Sequence, residues 1–423
     1  MTARVLLAAT LEWPNAARLA IAFRDAGCAV DVVAPAGHPA HAMTAPRRTF
    51  LYRAHRAATS LRRTIEESQP HLIIPCDDRV VRRLHQIHAE SSRSERPRDS
   101  AWIAGLIERS LGAPASFPIL RRRDSLAEFA ALEDVRAPRT DSIRTISELR
   151  RWVAEHGLPA MLKLDGTSGG EAVVPVHDVT RLGRVFLGMR LRRAGLSRLK
   201  RARQNKDVHL PFDYLNDGAP GISVQAHVPG RPANCAVACW RGDILAATAV
   251  ETVRLQSTLG AATVVRVVEG AQMKAAARAI VRHLGLSGMC GFDFVLDDAS
   301  GAAHLIEINP RATQVNHLRL GAGHDLPTAL RLALEGLPQP VPSPVAEVDI
   351  ALFPQEWSRD RHSPYLLTTG YDDVPYEEPE LLRRYGYPAF HSASILRANV
   401  ETERTGLLRF VRRSNPAARR AAR

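Results

Sequence analysis

Three polar side chains close one apolar stretch. In "HLIEINPR", Glu307 and Asn309 stand two residues apart, and Arg311 follows two further on. Leu305, Ile306 and Ile308 make the stretch read as a buried strand, and residues two apart in a strand share a face. Just upstream, "GFDFVLDDASGAAHLIEIN" folds into a hairpin if "DDASGAA" turns. Symmetry about Ser300 then sets Asp293 opposite Glu307. It puts Leu305, Glu307 and Asn309 on one face of the second strand, and Phe292, Phe294 and Leu296 together on the first. Two opposed carboxylates repel, so a shared proton, an arginine or a metal must compensate. Asp293, Glu307 and the Asn309 amide form an all-oxygen set, which favours Mg2+ or Mn2+, cations that meet phosphate oxygens. Arg311 can hold a phosphate by a fork contact. The bland alternative is a surface hairpin with solvated acids; the apolar strand argues against it.

A second cation sits in "MLKLDGTSGGEAVV". Lys163 lies mid-strand between leucines, where an ammonium costs free energy unless it meets an anion. Only Lys163, Lys200, Lys206 and Lys274 are lysines among 57 basic residues, so arginine is this chain's default cation and was not used at 163. The turn Gly166-Thr167-Ser168-Gly169-Gly170 offers several backbone N–H groups and two hydroxyls, a concavity that suits phosphate. It is not a G-x-x-x-x-G-K-[ST] loop, because the lysine precedes it. Read alone, it is as well an ordinary turn.

In this order the landmarks resemble the ATP-grasp superfamily: a lysine strand with a glycine-rich loop, the hinge strand "VQAHVPG", a late acidic strand, and Glu307-x-Asn309-x-Arg311. The resemblance covers about 115–335. It implies that Lys163 contacts the α/β-phosphates of ATP and that Gly166, Thr167, Ser168, Gly169 and Gly170 close over the β/γ-phosphates. Around Gln225, Ala226, His227 and Val228, the hinge would grip adenine by its backbone. Asp293, Glu307 and Asn309 would hold Mg2+ (or Mn2+), and Arg311 would steady the transferring phosphoryl group or the substrate. An upstream phosphate cation falls among Arg121, Arg122 and Arg123, with Arg123 favoured. Pro232 stands where the family often has a ribose-binding glutamate and cannot do that work. The family's usual chemistry phosphorylates a carboxylate, and an amine or thiol attacks the acyl phosphate. The implied partners are ATP and small-molecule carboxylate and amine substrates, and a homodimer is among the assemblies this allows. "RATQVNH" is also similar to the R-x-Q-V-E-H of bicarbonate-using carboxylases. It has one extra residue, and Asn316 replaces the glutamate, so no base is offered there. Gln314, Asn316 and His317 are candidate substrate contacts. A third reading is a non-catalytic ATP- or nucleic-acid-binding protein.

The elements that must position these groups follow from pattern. "RVLLAAT", a helical run from Asn15 to Ala26, "AVDVVAP", "HLIIPCDD" and a helix from Arg79 to Ala89 read as a doubly wound α/β domain. It lacks G-x-G-x-x-G, so a dinucleotide is not indicated. The polar run 90–100 reads as an exposed loop and 112–120 as a linker. A helix follows from about Asp124 to Leu132, and Ser147 is expected to cap another running to Ala154. Strand patterns then dominate to residue 309, interrupted by a helix over Gln272–Leu284. The fold class expected is α/β and α+β: an ATP-grasp fold preceded by a doubly wound domain, with a C-terminal extension. The boundaries expected are 1–115, 116–338 (with a basic insertion at about 181–206) and 339–423.

With 423 residues and 45% apolar content, the chain can bury more than one core. No apolar run reaches the ~20 residues that span a bilayer, and a cytoplasmic protein is expected. Cys28, Cys76, Cys235, Cys239 and Cys290 show no metal spacing and read as small buried hydrophobes. The net charge of +13 is concentrated in 181–206 and 404–423, which carry no acid. Such runs are usually solvated faces; the alternative is contact with an anionic substrate. A general nucleic-acid role is not favoured.

Overall fold

A computed structural model of the chain describes residues 2–93, 97–120, 125–164, 173–193, 221–258, 260–367 and 370–388. The candidate phosphate turn Gly166–Gly170, Arg123 and the arginine-rich tail lie outside the described residues, as does the basic stretch beyond 193.

The first sheet is parallel: β1 (Arg4–Ala8), β2 (Ala29–Ala34), β3 (Arg48–Leu51) and β4 (Leu72–Pro75), in the order β3-β2-β1-β4. Strands buried on both faces read as continuous apolar runs. Val5 and Leu7 pack on one side with α1 (Asn15–Asp25), and Leu6 and Ala8 on the other. That second side is covered by α2 (Ala57–Ser68), α3 (Asp78–Ser92) and α4 (Pro97–Leu111). The loop expected over 90–100 is corrected: α3 continues to Ser92 and α4 begins at Pro97, a residue well suited to a first helical turn. Ile103, Leu106, Ile107 and Leu111 then bury one face of α4. The expected linker 112–120 is also packed, with Phe117 buried in the same core.

A small antiparallel sheet follows: β5 (Thr140–Ser142), β6 (Ala160–Leu164), β7 (Val173–Val176) and β8 (Ile222–Ala226), in the order β5-β8-β6-β7. Alternation divides its faces. Ala160, Leu162, Leu164, Ile222 and Val224 join the apolar core that holds the helices Ile146–His156 and Leu182–Arg193. Lys163, Ser223, Gln225 and Thr140 take the other face. The cap of helix Ile146–His156 is Thr145, not Ser147. Its hydroxyl accepts from the Glu148 N–H, and Glu148 reaches back in a capping box.

The large sheet holds β9 (Gly230–Trp240), β10 (Asp243–Leu255), β11 (Ala262–Val268), β12 (Gly288–Asp297), β13 (Ala303–Asn309) and β14 (Asp349–Ala351), in the order β13-β12-β9-β10-β11-β14. One face, with Cys235, Phe292 and Phe294, is covered by the helix Ala271–Leu284. The other, with Ala236, Ala238, Val250 and Val267, shares a core with β1, β2 and α1. The described chain between 349 and 388 is not a free appendage. It supplies β14, and its Asp373 and Glu378 are buried against the first domain through Arg18, Arg24 and Thr44. Among the described residues no helix is long and apolar enough to cross a membrane.

Candidate active site

Asp293 on β12 pairs directly with Glu307 on β13. Beyond that pair the register slips, leaving Ile306 out and setting Phe294 opposite Leu305. The slip carries Leu305 off the Glu307 face and into the core with Phe292 and Phe294, where its relative exposure is 0%. The shared face expected for Leu305, Glu307 and Asn309 is thus corrected by a β-bulge, which uniform alternation along a sequence cannot show. Ile306 is recruited instead: its carbonyl accepts from Lys163 Nζ at 3.3 Å and from Gln225 Nε2 at 3.4 Å. Both donors come from the polar face of the small sheet, so the bulge is where the two sheets touch polar group to polar group.

Asp293 is bracketed by amides. Asn234 Nδ2 donates to Oδ1 at 2.6 Å and Asn309 Nδ2 to Oδ2 at 2.9 Å. Burial, and then the charge of Glu307, push the Asp293 carboxyl above the usual carboxylate range, against the pull of both amides and Arg311. Asn309 Oδ1 in turn accepts from Arg311 Nη2 at 2.9 Å. Arg311 also reaches the Ala312 carbonyl, at 3.3 Å, and Asp78, whose Oδ1 lies 3.0 Å from Nε. Burial works against the Arg311 charge, but Asp78, Glu307 and Asp293 outweigh it and raise its pKa.

Asp78 and Asn234 were not singled out in the sequence. Asp78 opens α3 just beyond the N-cap Asp77, which accepts from the N–H groups of Arg79 and Val80 and binds Thr10. The signal was "CDD" at the end of a buried strand. The Ala312 N–H donates to the Pro75 carbonyl at 3.0 Å. Arg311 therefore lies at the carboxyl end of β4, where open α/β sheets place ligands. Asn234 sits in "ANCAV", polar amid small apolar residues, directly across β9 from Asp293.

The hinge His227–Pro229 carries the chain from the small sheet to the large one. The Ala226 N–H donates to the Arg139 carbonyl at 2.9 Å and the His227 N–H to the Pro159 carbonyl at 3.3 Å. Gln225 is buried, its amide also donating to Thr140 Oγ1 at 2.9 Å. Val228 is half-buried. Gly230 is required by proximity: a Cβ there would lie 2.1 Å from the Leu296 carbonyl oxygen.

Of the candidate substrate contacts, Gln314 is half-buried, while Asn316 and His317 turn inward. Asn316 Oδ1 accepts from Thr313 N–H and Oγ1, both at 2.7 Å, closing a turn. His317 Nε2 donates to Asp373 Oδ1 at 2.9 Å. All five cysteines are buried and free.

Among the described residues no three His, Cys, Asp or Glu side chains gather to hold a metal. The β12–β13 pair offers two directly opposed carboxylates instead, hard oxygen donors that fit a divalent cation taking its other ligands from water or phosphate. The Asn309 oxygen accepts one bond from Arg311 and keeps a second lone pair that could join that set.

The family model of the ATP-grasp domain matches residues 202–315. No curated protein matches in sequence. Among solved structures, the chain is similar to the biotin carboxylase domain dimer of Hydrogenobacter thermophilus 2-oxoglutarate carboxylase, bound to MgADP, ADP and bicarbonate. The identity is 13%, the TM-score 0.57, and 79% of this chain and 70% of that one are covered. N5-carboxyaminoimidazole ribonucleotide synthetase from Thermus thermophilus gives 14% identity and a TM-score of 0.57, with 82% of each chain covered. The Staphylococcus aureus N5-carboxyaminoimidazole synthetase with ADP gives 13% and 0.53, covering 80% of this chain and 78% of that one. With the fold of these enzymes and the domain match over its acidic strands, the chain carries an ATP-grasp domain.

Proposed function

We propose that the protein is an ATP- and Mg2+-dependent ligase that phosphorylates a carboxylate, whose acyl phosphate is then attacked by an amine or thiol. The observation that carries this reading is the direct Asp293–Glu307 pair, with Lys163 of the small sheet bonded to the Ile306 carbonyl next to it. An anionic pair and a buried ammonium, brought together by two separate sheets, suit a polyphosphate between them. A divalent cation on Asp293 and Glu307 would neutralise phosphate charge and fix an in-line geometry. Lys163 would take an α- or β-phosphate oxygen. The backbone at Ala226 and Val228 would hold adenine, and Gly166–Gly170 and Arg123 the phosphates. Arg311, fixed at the carboxyl end of β4, would meet the reacting carboxylate, with Gln314 nearest to it in sequence. The units that divide this work are 1–115, 116–338 and 339–423.

The test is ATP turnover with hydroxylamine trapping over a panel of carboxylic acids, bicarbonate included, in Mg2+. A hydroxamate formed with one acid, and lost in Lys163→Ala and Glu307→Ala, is the expected result. ATP turnover that survives both substitutions would refute the assignment of the site.

A further inference from the structure

Glu307, Asp293 and Asn234 form a row across three neighbouring strands, β13, β12 and β9, each directly opposite the next. The row is polar in a region of the sheet that is otherwise apolar. On β10 the residue opposite Asn234 is Val250, and opposite that on β11 is Val267, both buried. Nothing in strand formation requires an amide at 234; a valine would continue the row and pack.

The amide orientation is fixed by chemistry. A carboxylate only accepts, so the nitrogen of Asn234 must face Asp293, and its oxygen must face away. That oxygen is buried and has no hydrogen-bond partner among the described residues. The residue therefore forgoes one buried hydrogen bond to make another, 2.6 Å long, to Asp293 Oδ1. Its counterpart on the far side, Asn309, reaches Oδ2 at 2.9 Å and is itself held by Arg311. Each oxygen of Asp293 thus receives one amide bond.

We propose that Asn234 is a positioning residue of the cation site. Asp293 faces Glu307 directly, and repulsion between the two favours rotation of the Asp293 carboxylate out of the row. Asn309 alone holds one oxygen and leaves that rotation open. Asn234 holds the second, so the carboxylate plane is fixed at two points before a cation arrives. The two carboxylates are then presented together, and the ordering that a cation would otherwise impose is already done. This inference rests on the reading of Asp293 and Glu307 as cation ligands.

The experiment is Mn2+ binding to the full chain in the presence of ADP, followed by electron paramagnetic resonance, for wild type, Asn234→Ala, Asn234→Val and Asp293→Asn. Support for a positioned ligand is a loss of about 10- to 100-fold in Mn2+ affinity in both Asn234 variants. ADP affinity in excess chelator should stay within twofold, and the circular dichroism spectrum should be unchanged. Asn234→Val keeps the sheet packed, so a loss shared by both variants does not come from a cavity. Should Asp293→Asn lose Mn2+ binding while both Asn234 variants keep it, the role of Asn234 is refuted and the cation site stands. Should Asp293→Asn bind Mn2+ as wild type does, the cation site itself is refuted.

Discussion

Asp373 allows a quantitative test of how the C-terminal extension is held. Its Oδ1 accepts from Arg18 Nη2 at 2.6 Å and from His317 Nε2 at 2.9 Å, and its Oδ2 from the Phe353 N–H at 2.9 Å. Burial alone would raise its pKa, but the charges of Arg18 and His317 and these bonds overcome that and hold it at about 2, from an ordinary 3.8. Nearly two pH units at about 1.4 kcal/mol each give about 2 kcal/mol of stability from this ionisation. Because the folded value is the depressed one, that stability is fully present above about pH 5 and drains away as pH falls towards about 2. Asp373→Asn should cost more at neutral pH, about 3–5 kcal/mol, because it leaves the Arg18 guanidinium buried without its charge partner. Adding Arg18→Met should recover part of that loss. Guanidinium unfolding followed by tryptophan fluorescence is the assay, since Trp357 packs beside Tyr387 in the same core. A cost under about 1 kcal/mol at pH 7, or parallel losses in wild type and Asp373→Asn between pH 5 and 3, would refute the reasoning.

Other consequences are simpler to check. Leu305→Ala should lower stability by about 2–5 kcal/mol in denaturant titration, as a core truncation does; a leucine left half-exposed beside Glu307 would cost far less. Gly230→Ala should destabilise by about 1–3 kcal/mol, read as a lower melting temperature, because the new methyl meets the Leu296 carbonyl. Thr145→Ala should cost about 1 kcal/mol through its capping box, whereas Ser147→Ala should cost almost nothing by the same titration. Lys163→Ala should reduce ATP turnover at least ~100-fold while the far-ultraviolet circular dichroism is unchanged.

The acidic hairpin was legible because a turn of known symmetry fixes which residues oppose each other, and Asp293 met Glu307 as that symmetry requires. The same symmetry misplaced Leu305, since a bulge costs one residue of register and leaves no local mark in an apolar run. The parallel sheet was legible from its uninterrupted apolar strands. Helix α4 was not, because its polar start hid a helical period that begins only at Ile103. Asp78 and Asn234 escaped notice for a different reason. Their importance comes from a neighbour distant in sequence, and the local sequence marks each only as a polar residue beside an apolar run. The inward turn of His317 depends on Asp373, more than fifty residues on, in a region whose sequence carries no motif.

The core beneath the first sheet has a consequence for how the chain is made. It joins Ala3, Leu7 and Phe23 to Leu326, Phe353 and Leu382 in one cluster. A ribosome that has released the first hundred residues has therefore delivered only one wall of that core. Helix α1 covers β1 and β2 early, but its own far face, which meets the helix Leu326–Glu335 and Asp373, stays uncovered until nearly four hundred residues have emerged, and contacts of such long sequence separation form slowly. Nascent chains stopped before residue 353 should hold that face open to chaperones, and completion of the C-terminal segment should release them.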